Sequence, residues 1–274
     1  MRKALPKELT SYDLLKALAV ILMVCDHVGH HFYPDEMWFR IIGRLCVPIW
    51  FFLIGYARTV EVTPRLWIGA GIIAVSAIIA GQFLLPLNIL FTIIILRLLR
   101  QKGVERCLNN PEGLRGMFFI LVLMAFPTGI VMEYGTSALL FSLIGYMVRN
   151  REEVLKTLEP KHILFFTIAS FAAFYFMQGI SLPTVSSQQA LFLFIGLIIV
   201  GWTLWRFQPA QYIDAPNYMA PSLIRMIQFM GRRTLEIYVA HIVLFRAICM
   251  YLYPDRYGFL EWNYVPLSMV SSII

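Results

Sequence analysis

Long apolar runs separated by short polar punctuation make up almost the whole chain. Nine runs approach the length of a membrane-crossing helix: residues 13–33, 42–58, 66–84, 87–100, 116–131, 136–149, 162–180, 189–206 and 231–252. Backbone groups in lipid must be satisfied within the segment, and apolar runs this continuous cannot alternate as barrel strands do. The pattern therefore predicts an all-α fold: a polytopic integral membrane helix bundle of nine transmembrane helices, forming one domain over residues 1–274. The runs at 87–100 and 136–149 are short and predict tilted or recessed helices. Glu261 to Ile274 is apolar but too short to span, and reads as a re-entrant or interfacial segment or as half of a tenth helix. The first run lacks a small-residue cleavage site, so it is expected to remain as the first helix.

Composition sharpens this picture. Of 274 residues, 59% are hydrophobic and only 14% charged, against roughly 25% charged in soluble domains, which excludes an ordinary soluble enzyme. The net charge of +7 would suggest nucleic acid if the basic residues formed a patch. Instead they occupy alternate loops. Arg2, Lys3, Lys7 and Lys16 precede or open the first run, and Arg58 and Arg65 follow the second. Five more lie between Arg97 and Arg115; then come Arg149, Arg151, Lys156 and Lys161, and finally Arg206, Arg225, Arg232 and Arg233. These are 19 of the 23 Lys and Arg residues, whereas the loops at 128–135 and 181–188 contain neither type. By the positive-inside rule the N-terminus is cytoplasmic, and the basic balance is a topology signal that argues against a nucleic-acid partner. The four cysteines form no C-x-x-C pair, so neither a disulfide framework nor a zinc site is expected.

Ionisable groups inside apolar runs are costly, so they are the functional candidates. The first run, DLLKALAVILMVCDHVGHHFY, holds Asp13, Lys16, Asp26 and His27. Lys16 and His27 are eleven residues apart, which places them within about 20° on one helix face and about 16 Å apart along the axis. Asp13 is spaced to pair with Lys16 at i,i+3. Asp26 lies about 100° from His27, imperfectly placed to orient it but able to face another helix. In the second run Arg44 precedes Pro48, which predicts a kink beside a guanidinium able to bind a carboxylate or phosphate, or to pair with Asp26 or Glu133. Glu133 and Tyr134 occupy an otherwise uncharged loop, and Tyr238 and His241 share a face of the last run. Glu236 is spaced to balance Arg232. His27 and His31 also share a face, yet no complete metal set emerges. Snorkelling explains Lys16 equally simply, and helix packing explains His241.

Cationic groups toward one end and histidines toward the other suit acyl transfer. The phosphates of acyl-CoA lie a comparable distance from its thioester, and an imidazole titrates near working pH. Lys16 and His27 match the R/K-x10-H signature of the type-3 membrane acyltransferases, and DLLKALAVILMVCDH resembles the first helix of the TraX family. The likeness continues in order through GRLCVPIWFFLIGYA with Arg44 and Pro48, Asn88-Ile89-Leu90-Phe91, Glu133-Tyr134-Gly135, and LEIYVAHIVLF with His241.

What this resemblance implies is a bacterial inner-membrane acetyl- or acyltransferase. Its donor and co-substrate would be cytosolic acetyl-CoA, with no metal, and its acceptor the amine of a pilin N-terminus or a hydroxyl of a surface glycan. His27 would be the catalytic base or a transient acyl carrier, grouped with Asp26. Lys16, with Asp13, would bind the donor; Arg44, Glu133, Tyr134, Tyr238 and His241 would bind substrate or shape the site. Two other readings stand beside it. In a proton-coupled transporter or permease the same charges would form a relay, although no internal repeat of the transporter kind is visible. In a scaffold protein the charges would only fix helix packing.

Overall fold

The computed structural model describes residues 7–182 and 184–261. Its larger elements are helices: α1 (Ser11–Phe32), α2 (Met37–Arg44), α3 (Cys46–Tyr56), α4 (Pro64–Ile79), α5 (Ile89–Gln101), α6 (Pro111–Val131) and α7 (Ser137–Arg149). After the short α8 (Arg151–Val154) come α9 (Pro160–Ser181) and α10 (Ser187–Trp205). The one-turn α11 (Ala215–Tyr218), then α12 (Pro221–Arg232) and α13 (Thr234–Leu252) close the described chain. Each of the nine apolar runs contains a helix. Met37–Tyr56, α6, α9, α10 and α13 are long and apolar enough to cross a membrane, and the chain is a helical membrane protein. The C-terminal stretch, from residue 262 onward, lies outside the described residues.

The helix ends follow local chemistry. Thr10 caps α1 through a reciprocal capping box with Asp13. Just before it, Leu9–Thr10 (β1) pairs antiparallel with Gln211–Tyr212 (β2), tying the start of α1 to the segment after α10. The predicted kink at Pro48 is instead a break at Leu45, between α2 and α3. Pro48 has no N–H to offer the carbonyl of Arg44, and that carbonyl is where α2 ends. A second break, at Arg233, divides the last predicted run into the end of α12 and α13.

The bundle is inside-out relative to a soluble protein only on its rim. Phe51, Phe52, Phe141, Phe166 and Phe174 are sealed in the core, while Phe119, Leu123, Phe126, Ile180, Ile199 and Trp202 of α6, α9 and α10 face outward. Such an apolar exterior suits a lipid solvent. At the centre, α3 and α7 touch backbone to backbone. A Cβ on Gly55 would fall 1.7 Å from the Ser142 carbonyl oxygen, and one on Gly145 would fall 2.1 Å from that of Phe52. Small residues are how helices approach so closely in a membrane. Gly55→Ala or Gly145→Ala is therefore expected to cost about 1–3 kcal/mol or more through overpacking, read as a lowered unfolding midpoint in detergent. Gly71→Ala, with nothing within 4 Å of the added carbon, should not lower the midpoint, since alanine is the better helix former.

Candidate active site

α1 carries the polar groups that organise both ends of the bundle. Near its start Asp13 does not pair with Lys16. Its carboxylate accepts from Arg232 Nε at 3.0 Å and Nη2 at 2.9 Å, and also from the Thr10 backbone and hydroxyl. A bidentate guanidinium outcompetes a flexible ammonium one turn away. Glu236, expected to balance Arg232, instead faces Arg233 at 3.5 Å and Arg65 at 3.9 Å. Lys16 is left half-buried with no hydrogen bond or ion pair among the described residues, under the charges of Asp13 and Arg97. Arg97 donates to the Glu61 carbonyl at 2.5 Å, and its buried Nε has no hydrogen-bond partner among the described residues.

Toward the other end of α1, Asp26 turns away from His27 to meet α2. Arg40 Nη1 donates to its carboxylate at 2.8 Å and to its backbone carbonyl at 3.3 Å. The approach needs Gly43, where a Cβ would sit 2.2 Å from that of Asp26. Arg44, one turn after Arg40, has its Nε 4.0 Å from the second Asp26 oxygen. That nitrogen and that oxygen are both buried without a hydrogen-bond partner among the described residues. The guanidinium uses Nη1 to donate to the Tyr134 hydroxyl at 2.6 Å.

Tyr134 lies in the loop between α6 and α7 with φ of 65°. A bulky residue in this left-handed region costs about 1–3 kcal/mol and marks a position that its surroundings over-determine. Those surroundings are the neighbouring motif. Glu133 Oε2 accepts from the Ile89 N–H at 3.0 Å, placing a carboxylate at the N-terminus of α5, where the helix dipole favours it. Thr92 donates to the Glu133 carbonyl at 2.8 Å, and Asn88 caps α5 while donating to the Ala70 carbonyl at 3.1 Å. Residues 88–92 and 133–135, some forty positions apart in sequence, thus form one knot.

His27 meets α13 instead. Its Nδ1 lies 2.7 Å from His241 Nε2, and His241 Nδ1 lies 2.6 Å from the Ile237 carbonyl oxygen. The ring centres are 4.9 Å apart with planes 27° from parallel. That separation is the N···N distance plus two ring radii, so the rings join edge to edge and do not stack. Tyr238 packs beside both, its ring centre 5.8 Å from each. His31 is bonded to the Tyr257 hydroxyl at 2.8 Å, away from His27. The structure thus joins His27 with His241 and Tyr238, and Arg44 with Tyr134 and Asp26, while Lys16 and Asp13 stand at the opposite end of α1.

Two further arginines belong to these networks. Arg40 and Arg44 open the second apolar segment, and their spacing of four places both on one face of α2. Arg246 lies within the last apolar run, a position that by itself signals a role. It donates to the Ile73 carbonyl at 2.7 Å and the Ser76 hydroxyl at 2.6 Å, binding α13 to α4, and its buried Nε has no hydrogen-bond partner among the described residues.

Comparison with known proteins adds a family. A family model described as TraX protein matches residues 11–220, a stretch that contains α1 through α10. An uncharacterized protein of Rickettsia prowazekii (strain Madrid E) is 26% identical over 261 residues, covering 92% of this chain and 97% of its own. No solved structure matches the chain.

Removing the Asp26 carboxylate leaves the largely buried guanidiniums of Arg40 and Arg44 without their countercharge. Asp26→Ala is expected to destabilise by about 3–5 kcal/mol, measured by thermal unfolding in detergent. Asp26→Leu combined with Arg40→Leu should recover part of that loss.

Proposed function

From the premise that this chain belongs to the TraX family, we propose that it is an integral membrane acetyltransferase of the bacterial inner membrane. It moves an acetyl group from cytosolic acetyl-CoA to an acceptor amine, with the N-terminus of a pilin as the favoured acceptor and a hydroxyl of a surface glycan as the other. Family membership suggests an acetylation-related, pilin-associated role. The observation that carries the chemical reading is on α1: a Lys16 with no ion pair among the described residues toward one end and, three turns on, a His27 whose imidazole is held by His241. One helix thereby offers a cation for the donor and a base for the acceptor about 16 Å apart.

In this reading the single domain crosses the membrane nine times with its N-terminus in the cytoplasm, the orientation favoured by the basic loops. Lys16, with Arg97 close by, meets the phosphates of acetyl-CoA at the cytoplasmic mouth. Asp13 contributes by holding α12 through Arg232, so its carboxylate does not form an ion pair with Lys16. His27 accepts the proton of the acceptor amine as its nitrogen attacks the thioester carbonyl. The C–S bond breaks, and the proton passes on to the departing thiolate, so acetylated amine and CoA are the products. Arg44, Tyr134 and Glu133 form the firm wall of the acceptor side, and Tyr238 packs against the histidine pair. Asp26 serves through Arg40 and Arg44, not through His27.

A proton-coupled transporter would need its carboxylates free to exchange protons. Asp26 is engaged by Arg40 and Glu133 by the α5 N-terminus, which favours the enzyme.

The test is acetyl transfer from radiolabelled acetyl-CoA to a pilin N-terminal peptide in proteoliposomes. His27→Ala should lower kcat by about 10²-fold or more while the protein still inserts and purifies normally; activity close to the native level overturns the assignment. Lys16→Ala should raise KM for acetyl-CoA about tenfold or more and change kcat little, since one charge-assisted contact contributes about 1.5–3 kcal/mol. Solute uptake by the same vesicles without CoA would replace the enzyme reading with the transporter.

A further inference from the structure

The two hydrogen bonds of His241 determine which atom of His27 can act, an inference that rests on the acetyltransferase reading. A neutral imidazole has one N–H donor and one bare acceptor nitrogen. His241 Nδ1 faces the Ile237 carbonyl at 2.6 Å, and a carbonyl oxygen has no proton to give. Nδ1 must therefore carry the hydrogen, which leaves His241 Nε2 as the acceptor. Nε2 faces His27 Nδ1 at 2.7 Å, so the hydrogen between them belongs to His27 Nδ1. The remaining nitrogen, His27 Nε2, then holds a bare lone pair. It makes no hydrogen bond among the described residues, and it is not one of the buried polar atoms sealed without a partner.

We propose that His241 is a positioning residue that locks His27 in the Nδ1–H tautomer and so makes Nε2 the proton-accepting atom. The relay is closed by the backbone of its own helix, because the Ile237 carbonyl is held in α13 one turn before His241. An imidazole without such a partner favours the Nε2–H form, which would turn the lone pair toward Nδ1 and away from the acceptor. The usual orienting group for a catalytic histidine is a carboxylate. Asp26, the adjacent one, is committed to Arg40, and a neutral histidine fixes the tautomer equally well without placing a negative charge in a low-dielectric interior. In the step itself, Nε2 takes one proton from the amine as the new C–N bond forms. The Nδ1–H remains bonded to His241, and the Nε2 proton leaves with the thiolate. His27 ends in its starting tautomer, ready for the next turnover.

The experiment reads the tautomer directly. The full-length protein with 15N-labelled histidine is reconstituted in liposomes, and solid-state NMR assigns the His27 nitrogens by comparison with His27→Ala. The expected result is a protonated Nδ1 and an unprotonated Nε2; a protonated Nε2 in the native protein overturns the proposal. Kinetics give a second arm. His241→Phe removes the acceptor and should lower kcat about 10²-fold or more, with KM for acetyl-CoA unchanged. His241→Gln places an amide oxygen where Nε2 was and should stay within about tenfold of native. Equal activity of the Phe and native proteins also overturns the proposal. The native spectrum needs no turnover, so it decides the tautomer even if no acetyl transfer is found; loss of the acetyltransferase reading is seen separately, as an active His27→Ala.

Discussion

A carboxylate within a membrane helix has to be matched by charge, and at Asp26 that requirement organises one end of the bundle. Arg40 binds it at 2.8 Å, which brings α2 back alongside α1 at Gly43. With α2 so placed, Arg44 points past Asp26 to the Tyr134 hydroxyl at 2.6 Å. Tyr134 in turn sits beside Glu133, whose carboxylate caps α5. A chain of polar contacts therefore runs from α1 through α2 and the α6–α7 loop to α5. Each link compensates a group that would otherwise be buried unsatisfied, and in a low-dielectric interior such groups cost several kcal/mol each.

That network also decides which groups remain for chemistry. Asp13, Asp26 and Glu133 are all occupied, by Arg232, by Arg40 and by the backbone of Ile89. Arg246 is spent joining α13 to α4. Against this background of engaged charges, and among the described residues, Lys16 is a cation without a hydrogen-bond or ion-pair partner and His27 a base with one nitrogen uncommitted. Both belong to α1, which is anchored by Arg232 at one end and Arg40 at the other, so their separation is set by a helix that is held rather than free to slide.

Much of the site was legible in the sequence because an ionisable residue in an apolar run is conspicuous. Lys16, Asp26, His27, Arg44 and His241 all stand out in that way, and Glu133 stands out as the charge in an otherwise uncharged loop. Their partnerships were less legible. Asp13 was expected to bind Lys16 three residues on but binds Arg232, and Glu236 was matched to Arg232 but faces Arg233 and Arg65. In each case a local spacing rule supplied the nearest candidate, while the folded chain supplied a better-shaped one from elsewhere. Pro48 acted three residues earlier than a simple kink would, since the group it deprives of a bond is the carbonyl of Arg44.

What the sequence determined by itself was the helical membrane class, the position of each apolar run and the family likeness. Hydropathy over consecutive residues is a local property, and lipid leaves the backbone few ways to satisfy itself. The tertiary structure decided which polar groups meet. His27 and His241 are 214 residues apart in the chain, and Asp13 and Arg232 are 219 apart. Their contacts depend on the rotation and adjacency of whole helices, set by backbone approaches such as that of Gly55 to Ser142 and Gly145 to Phe52, and no local pattern along the chain encodes that geometry.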